Sequence, residues 1–368
     1  MNSKPLFSRF LRRGAALLLA SVIAAGGLSA AGCGKENGET TGSTAGQTTV
    51  EETTAPPRGY MNPLTGFYGM NEAAVGKRPV AVVINNAPPA RPQWGLCSPD
   101  IVVEGMVEGG ITRMLWLYAD WAQIPKVGSM RSARHDFVEI AEGLDAIFFH
   151  WGGSIYAYDA MKKRNVDHVD GTADAGRYFF RDRSRGVAIE HTGYTTGESI
   201  VDAIEAKKFR TRMNPGYESP FLFAEEEAPL SFTLGCESAS FVFSDSYRHE
   251  FRYDGETQTY FNYLNKKPMA QDGGKQMEVK NVIVLYCPVK PMGDRAGCID
   301  MNLTGGTGFY AVNGTYEPLT WKKGGPGDML KMFDPAGKPL TLNPGKSYIG
   351  FVPKSNEAKT VITPAAQP

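Results

Sequence analysis

The 368-residue chain is poor in the features that announce a chemistry. No serine stands in a G-x-S-x-G elbow, no P-loop is present and no H-E-x-x-H occurs. The local signatures of an α/β-hydrolase, a nucleotide-binding protein and a zinc protease are therefore absent. Cysteines number only five and no two are spaced as C-x-x-C, so neither a zinc ribbon nor a thioredoxin-type motif is indicated. Charge of one sign is missing too: 39 Lys and Arg balance 39 Asp and Glu. Nucleic-acid binding needs a basic surface that displaces counterions, so no nucleic-acid partner is expected. No apolar run reaches the roughly 20 residues of a confident membrane span. Asp167, His168 and Asp170 could join His150 or His191, but their spacing matches no tight ligand motif. No metal and no cofactor are expected.

What is present begins at the amino terminus. Four basic residues (Lys4, Arg9, Arg12, Arg13) precede a short apolar core, Ala15 to Ala25, and small residues then lead to Cys33. This is the layout of a lipoprotein signal peptide over residues 1–32, with Cys33 as the lipidation site. Ala30 stands where such signals usually carry Leu, and an ordinary secretory signal with an Ala-x-Ala-like site is the alternative reading. A lipid on Cys33 would anchor the chain to a membrane without spanning it. The cleaved chain would carry 35 basic against 39 acidic residues, so attachment would rest on acyl chains and not on a polybasic patch.

Residues 33–58 are rich in Thr, Gly and Glu and nearly devoid of large apolar groups, which predicts a disordered tether. Residues 59–230 alternate apolar runs with amphipathic stretches. Runs at 79–84, 111–118 and 146–150 read as strands; 132–144, 157–163 and 198–208 read as helices. Ser98-Pro99-Asp100 reads as a helix start, Val102, Val103, Met106 and Val107 keep a helical spacing and Gly109-Gly110 would end the helix; the β-branched run Ile101-Val102-Val103 makes a strand the rival reading. The alternation predicts an α/β domain with a mainly parallel sheet. Residues 231–355 hold short aromatic and β-branched runs broken by turns, with Asn313-Gly314 a strong hairpin signal, and predict a β-rich domain. Residues 356–368 read as a flexible tail. The runs ending at Cys287 and following Cys298 could pair as a hairpin; whether the two sulfurs are bridged stays open.

Residues 128–134 are the strongest binding candidate. Arg131 and Arg134 flank Ser132 where a helix is expected to begin, and guanidinium forks beside free backbone N–H groups suit a phosphate or carboxylate. The alternative is that the arginines pair with the protein's own acids. In a parallel sheet, ligands lie beyond the carboxyl ends of strands, here Asn85-Asn86, Asp120 and His150, with Ser154 close by. Asn86, Arg131, Ser132, Arg134, His150 and Ser154 are the expected ligand-binding set. Glu104 and Glu108 would share one face of a helix and could do acid–base work, or simply face solvent.

Several segments together resemble the YerB-like family of bacterial lipoproteins, a family of unknown function. They are Asn62-Pro63-Leu64-Thr65-Gly66, Ala90-Arg91-Pro92-Gln93-Trp94-Gly95-Leu96, Val107-Glu108-Gly109-Gly110-Ile111-Thr112-Arg113, Arg131-Ser132-Ala133-Arg134, His150-Trp151-Gly152-Gly153-Ser154 and, near the end, Leu340-Thr341-Leu342-Asn343-Pro344-Gly345-Lys346. The resemblance implies a two-domain protein anchored by lipid at the outer face of the cytoplasmic membrane, and it supplies no catalytic residue. Asn85 stands where relatives often have Asp, and Glu190-His191-Thr192 where many have Pro-His-Asn. The expectation is a non-enzymatic binding module whose first domain holds an anionic small molecule or cell-wall fragment in a crevice. A scaffold for envelope partners and an envelope hydrolase using His150 with Glu104, Glu108 or Asp170 are the alternatives.

Overall fold

The computed structural model describes residues 59–364. The signal peptide, Cys33 and the tether read from the sequence lie outside the described residues. The elements that build the two main sheets and their helices are, in chain order, β1 (Val80–Asn85), β2 (Ile101–Met106), β3 (Thr112–Tyr118), α1 (His135–Gly143), β4 (Ile147–His150), α2 (Ile155–Arg164), β5 (His168–Asp170), α3 (Gly197–Lys207), β6 (Ser238–Ser244), β7 (Tyr247–Asp254), β8 (Thr259–Leu264), β9 (Asn281–Cys287), β10 (Gly305–Val312), β11 (Thr315–Lys322), β12 (Ser347–Pro353) and β13 (Val361–Thr363).

An eleven-stranded sheet runs in the order Leu234–Gly235, β11, β10, β9, β12, β2, β3, β1, β4, β5, with Lys331–Phe333 beside β11. Strands from residues 80–170 and from 234–353 thus share one ladder. The pairs β9–β12, β12–β2, β1–β4 and β4–β5 are parallel. The pairs β2–β3, β3–β1, β9–β10 and β10–β11 are antiparallel. A six-stranded sheet runs Lys267–Pro268, β8, β7, β6, β13, with Glu278–Val279 beside β8.

The large sheet is covered on both sides, which is why β1 and β9 have every residue buried and are apolar save for Asn85 at the end of one and Asn281 at the start of the other. Val82, Ile84, Trp116, Val284 and Tyr348 face the second sheet through Phe241, Phe243 and Phe251, and α3 closes the same layer with Ile200 and Ile204. Ala81, Val83, Leu115, Phe148 and Leu285 face the other way, onto Phe137, Val138 and Ile140 of α1 and Ala157 of α2. Local signals set the ends of several elements. The Ser154 hydroxyl accepts from Ala157 N at 3.2 Å to start α2, and Asn165 ends it in the left-handed region. Asn313 and Gly314, at φ 49° and 70°, make the two-residue turn between β10 and β11.

The expected α/β domain with a mainly parallel sheet is overturned: the protein is mostly β with a mixed sheet, although the β-rich second half agrees. The decisive segment is 98–107. It is strand β2, so β1, β2 and β3 form antiparallel contacts where a helical crossover was expected. The apparent capping residues serve other partners. The Ser98 hydroxyl donates to Gly95 O at 2.7 Å, and the Asp100 carboxylate accepts from Ala119 N at 2.8 Å and from Asn62 Nδ2 at 3.1 Å. Two smaller readings also change. Val361–Thr363 pairs with Ser238–Ser240 as an edge strand where a loose tail was read. Ile299–Met301 pairs with Val289–Pro291, and Cys287 and Cys298 are both unbridged.

A sealed polar link joins the two sheets. Glu104 of β2 and His249 of β7 are fully buried, and His249 Nε2 lies 3.2 Å from the carboxylate. Asn86 Nδ2 (2.9 Å), the Thr112 hydroxyl and the Tyr348 hydroxyl (2.9 Å) donate to the same carboxylate, while His249 Nδ1 meets Asn262 Oδ1 at 3.0 Å. Burial pushes the Glu104 carboxyl up, but His249 and these hydrogen bonds outweigh it and hold the group below its ordinary range. Breaking one partner of such a pair leaves an uncompensated buried charge. Glu104→Ala is expected to cost about 3–5 kcal/mol in urea unfolding of the full chain. The double substitution Glu104→Leu with His249→Leu should lie nearer the wild type than either single. A single-variant loss below about 1 kcal/mol would show that the sheets are held together by other contacts.

Candidate anion-binding site

The carboxyl ends of β1 and β4 lie side by side, and the segment from Gly128 to Arg134 is stitched across them. Asn85 N donates to Ser129 O at 2.8 Å, Arg131 N to Val83 O at 3.1 Å and Trp151 N to Arg131 O at 3.0 Å. Of the three strand ends expected to converge, two do. Asp120 falls at the opposite edge, because β3 runs antiparallel to β1 with Tyr118 facing Val80.

The structure divides the expected site residues sharply. Helix α1 begins at His135, and Arg134 holds the capping position without a side-chain cap bond, so Ser132 precedes the helix and does not cap it. The Arg134 guanidinium grips both oxygens of Glu108, with Nε at 2.8 Å, and Arg113 Nη2 adds a contact at 3.1 Å. Burial raises the Glu108 carboxyl, yet Arg134 and Arg113 bring it down to about 2. Ser132 contributes its carbonyl to Arg113 Nη1 at 2.8 Å. Asn86 is sealed: beyond Glu104 and Thr112 it accepts from Gln93 Nε2 at 3.1 Å and, through its carbonyl, from the Tyr247 hydroxyl at 2.8 Å. Ser154 caps α2. Glu104 and Glu108 share no partner, one lying in the seam and the other among arginines.

His150 is fully buried. Its Nδ1 donates to Gly152 O at 2.7 Å, and its Nε2 meets His168 Nδ1 at 3.0 Å, the pattern of a neutral ring between one acceptor and one donor. Burial pushes its pKa down to about 4, against the opposing pull of Asp170. Asp170 itself accepts from Gly152 N, Thr172 N and the Tyr158 hydroxyl. The group therefore braces the loop after β4.

Arg131 alone of the set keeps its side chain uncommitted: its guanidinium has no hydrogen-bond or ion-pair partner among the described residues. The arginines around it went unread in the sequence because they come from the distant loop 181–191, of which only Glu190-His191-Thr192 was noted. Arg181 stacks on the Trp151 ring at 3.8 Å and donates to Ile189 O. Burial, Arg131 and Arg183 push the Arg181 guanidinium down, with Glu190 opposing. His191 is likewise lowered by burial and by Arg131 and Arg185, and its Nδ1 accepts from Asn85 Nδ2 at 2.9 Å. Arg185 lies over Trp94 at 4.9 Å and donates to Ala90 O at 3.4 Å. Arg131, Arg181 and His191 thus act on the same exposed carboxylate, Glu190. Asp182, the other acid of this loop, is taken by Lys126.

His135, Asp136 and Asp300 also converge, with ligand-type atoms within 4.8 Å of one another. Burial pushes the Asp136 carboxyl up to about 7. These three could share a cation; without one, His135 Nε2 already lies 3.1 Å from Asp300 Oδ1 and 3.4 Å from Asp136 Oδ1.

The neutral His150 generates a signed prediction. Its folded pKa lies below the ordinary 6.5, so the unfolded chain binds the extra proton between about pH 6.5 and 4 and stability falls as the solution is acidified. Relative to His150→Gln, the wild type should lose about 3 kcal/mol of unfolding free energy between pH 7 and pH 4. Parallel stability curves for the two proteins across that window would refute the assignment.

No helix among the described residues is long and apolar enough to cross a membrane. Residues 64–210 match the N-terminal domain, and residues 239–349 the C-terminal domain, of a protein family of unknown function, DUF3048. The chain is 32% identical over 301 residues to YerB of Bacillus subtilis (strain 168), whose name describes it as a lipoprotein; the match covers 80% of this chain and 87% of that one. The crystal structure of the Bacillus subtilis YerB protein superposes with a TM-score of 0.72 at 29% identity, over 83% of this chain and 99% of the other. With two domain matches in order, a relative matched over most of its length and a shared fold, the chain belongs to the YerB-like DUF3048 family.

Proposed function

We propose that the protein is a lipid-anchored binding module at the outer face of the bacterial cytoplasmic membrane, and that it holds an anionic ligand, such as a phosphate- or carboxylate-bearing wall fragment, against Arg131. The support for the anchor is the Cys33 signal and the lipoprotein name of the relative. The support for the anion is the unpaired Arg131 guanidinium among Arg181, Arg183, Arg185 and His191. Like charges gathered with so little counter-charge repel one another, and a bound anion relieves that repulsion while accepting several N–H donors. Trp151 and Trp94 hold Arg181 and Arg185 by their ring faces, so the forks are pre-set. Arg134 takes no part, since Glu108 already neutralises it.

Titration of the full chain with inorganic phosphate and with phosphate-bearing wall polymer is expected to show saturable, salt-sensitive binding. The Arg131→Ala, Arg181→Ala double variant should weaken it at least about tenfold, about 1.4 kcal/mol. Arg134→Ala should instead lower stability and leave binding unchanged. Wild-type affinity in the double variant would remove the proposal. Mass spectrometry of the native amino-terminal peptide should find acyl chains on Cys33, and an unmodified start at Met1 would remove the anchor.

A further inference from the structure

A separate cavity of about 410 Å³ opens at the seam between the two sheets. One wall is the loop after β1, with Arg91 and Gln93; the other is the turn after β8, with Leu264, Lys267, Pro268 and Met269. Neither Arg131 nor Arg181 lines it.

Two features of this cavity are unexplained by folding. Gln93 is fully buried, and its Nε2 donates to Asn85 O and Asn86 Oδ1, both at 3.1 Å, but its Oε1 has no partner. A buried acceptor left unpaired costs on the order of 1–3 kcal/mol. The Arg91 Nε is also buried without a partner, and no described acid pairs with this guanidinium. The Tyr247 ring, 5.8 Å away, is the contact it makes. Glu104 acts on it through space but is committed to His249, Thr112, Asn86 and Tyr348. Burial accordingly pushes the Arg91 pKa down. A half-buried cation without an anion is a cost the fold carries for no internal gain. Lys267 adds a second positive charge at the exposed rim, and the rest of the wall is largely proline, leucine and methionine.

An orphan acceptor and an orphan cation lining one cavity of mixed polar and apolar wall are together complementary to one common chemical group. We propose that this cavity binds the free C-terminal end of a short peptide. The terminal carboxylate meets Arg91 with Lys267 behind it, the last peptide N–H donates to Gln93 Oε1, and a small apolar side chain lies against Leu264 and Met269. Binding satisfies both buried groups at once. It also uses residues from both halves of the chain, so the peptide bridges the seam.

The test is calorimetric titration of the full chain with acetyl-Ala-Ala and with the same dipeptide as its C-terminal carboxamide. The free acid should bind at least tenfold more tightly than the amide. Arg91→Met keeps the side-chain stem against Tyr247 and removes the charge; it should weaken the acid tenfold or more while leaving the amide unchanged, and its melting temperature should equal or exceed that of the wild type. Lys267→Met, at an exposed position, should weaken the acid by a smaller factor, and it serves if the first variant fails to fold. Equal binding of acid and amide, no binding of either at millimolar concentration (a cavity filled by water alone), or wild-type affinity in both variants would overturn the proposal. Phosphate binding at Arg131 should be unaffected by either substitution, so this site and that one stand or fall separately.

Discussion

The link between Glu104 and His249 is the contact on which the rest of the architecture depends. A carboxylate enclosed at the centre of the large sheet demands a compensating cation and several donors. Here the donors come from four places: the loop after β1 (Asn86), β3 (Thr112), β12 (Tyr348) and β7 of the second sheet (His249). Meeting that demand sets the second sheet in register with the first. The ring of His249 is in turn enclosed by Phe241, Phe243, Phe251 and Tyr348, so polar pairing and aromatic packing specify one and the same arrangement.

The same constraint shapes the loop that both proposed sites share. Asn86 is tied to Glu104 on one side and to Gln93 on the other, so residues 85–93 cannot move independently of the seam. Asn85 leaves that loop toward His191, whereas Arg91 leaves it toward the turn after β8. Two polar sites thus flank one rigid connection. Their chemistry differs because their surroundings do. Arg134 meets a nearby acid and becomes structural; Arg131 and Arg91 meet none.

Most strand and helix positions were legible in the sequence. Buried runs such as 79–84 and 146–150 and the Asn313-Gly314 turn act within a few residues of themselves, whereas Ser154, read as a ligand-binding residue, proved to be the cap of α2. The segment 98–107 misled because Ser98 and Asp100, which suit a helix start, bond to Gly95 and Ala119 across a bend. One misread strand then turned an antiparallel set into an expected parallel one. In the candidate site, Arg131 could be singled out locally. The arginines opposite it could not, since Arg181, Arg183 and Arg185 lie some fifty residues on, and His191 was noted there only as a possible ligand and a departure from its relatives.

Length, charge balance and the alternation of apolar runs are properties of local chemistry, and the sequence by itself determined them. Which strands neighbour one another, which arginine finds an acid and which acid is sealed against a histidine were decided only by the tertiary structure. Those outcomes depend on groups separated by 26 residues for Arg134 and Glu108 and by 145 for Glu104 and His249. Charge pairing acts over a few ångströms, and only the folded chain says which groups come that close.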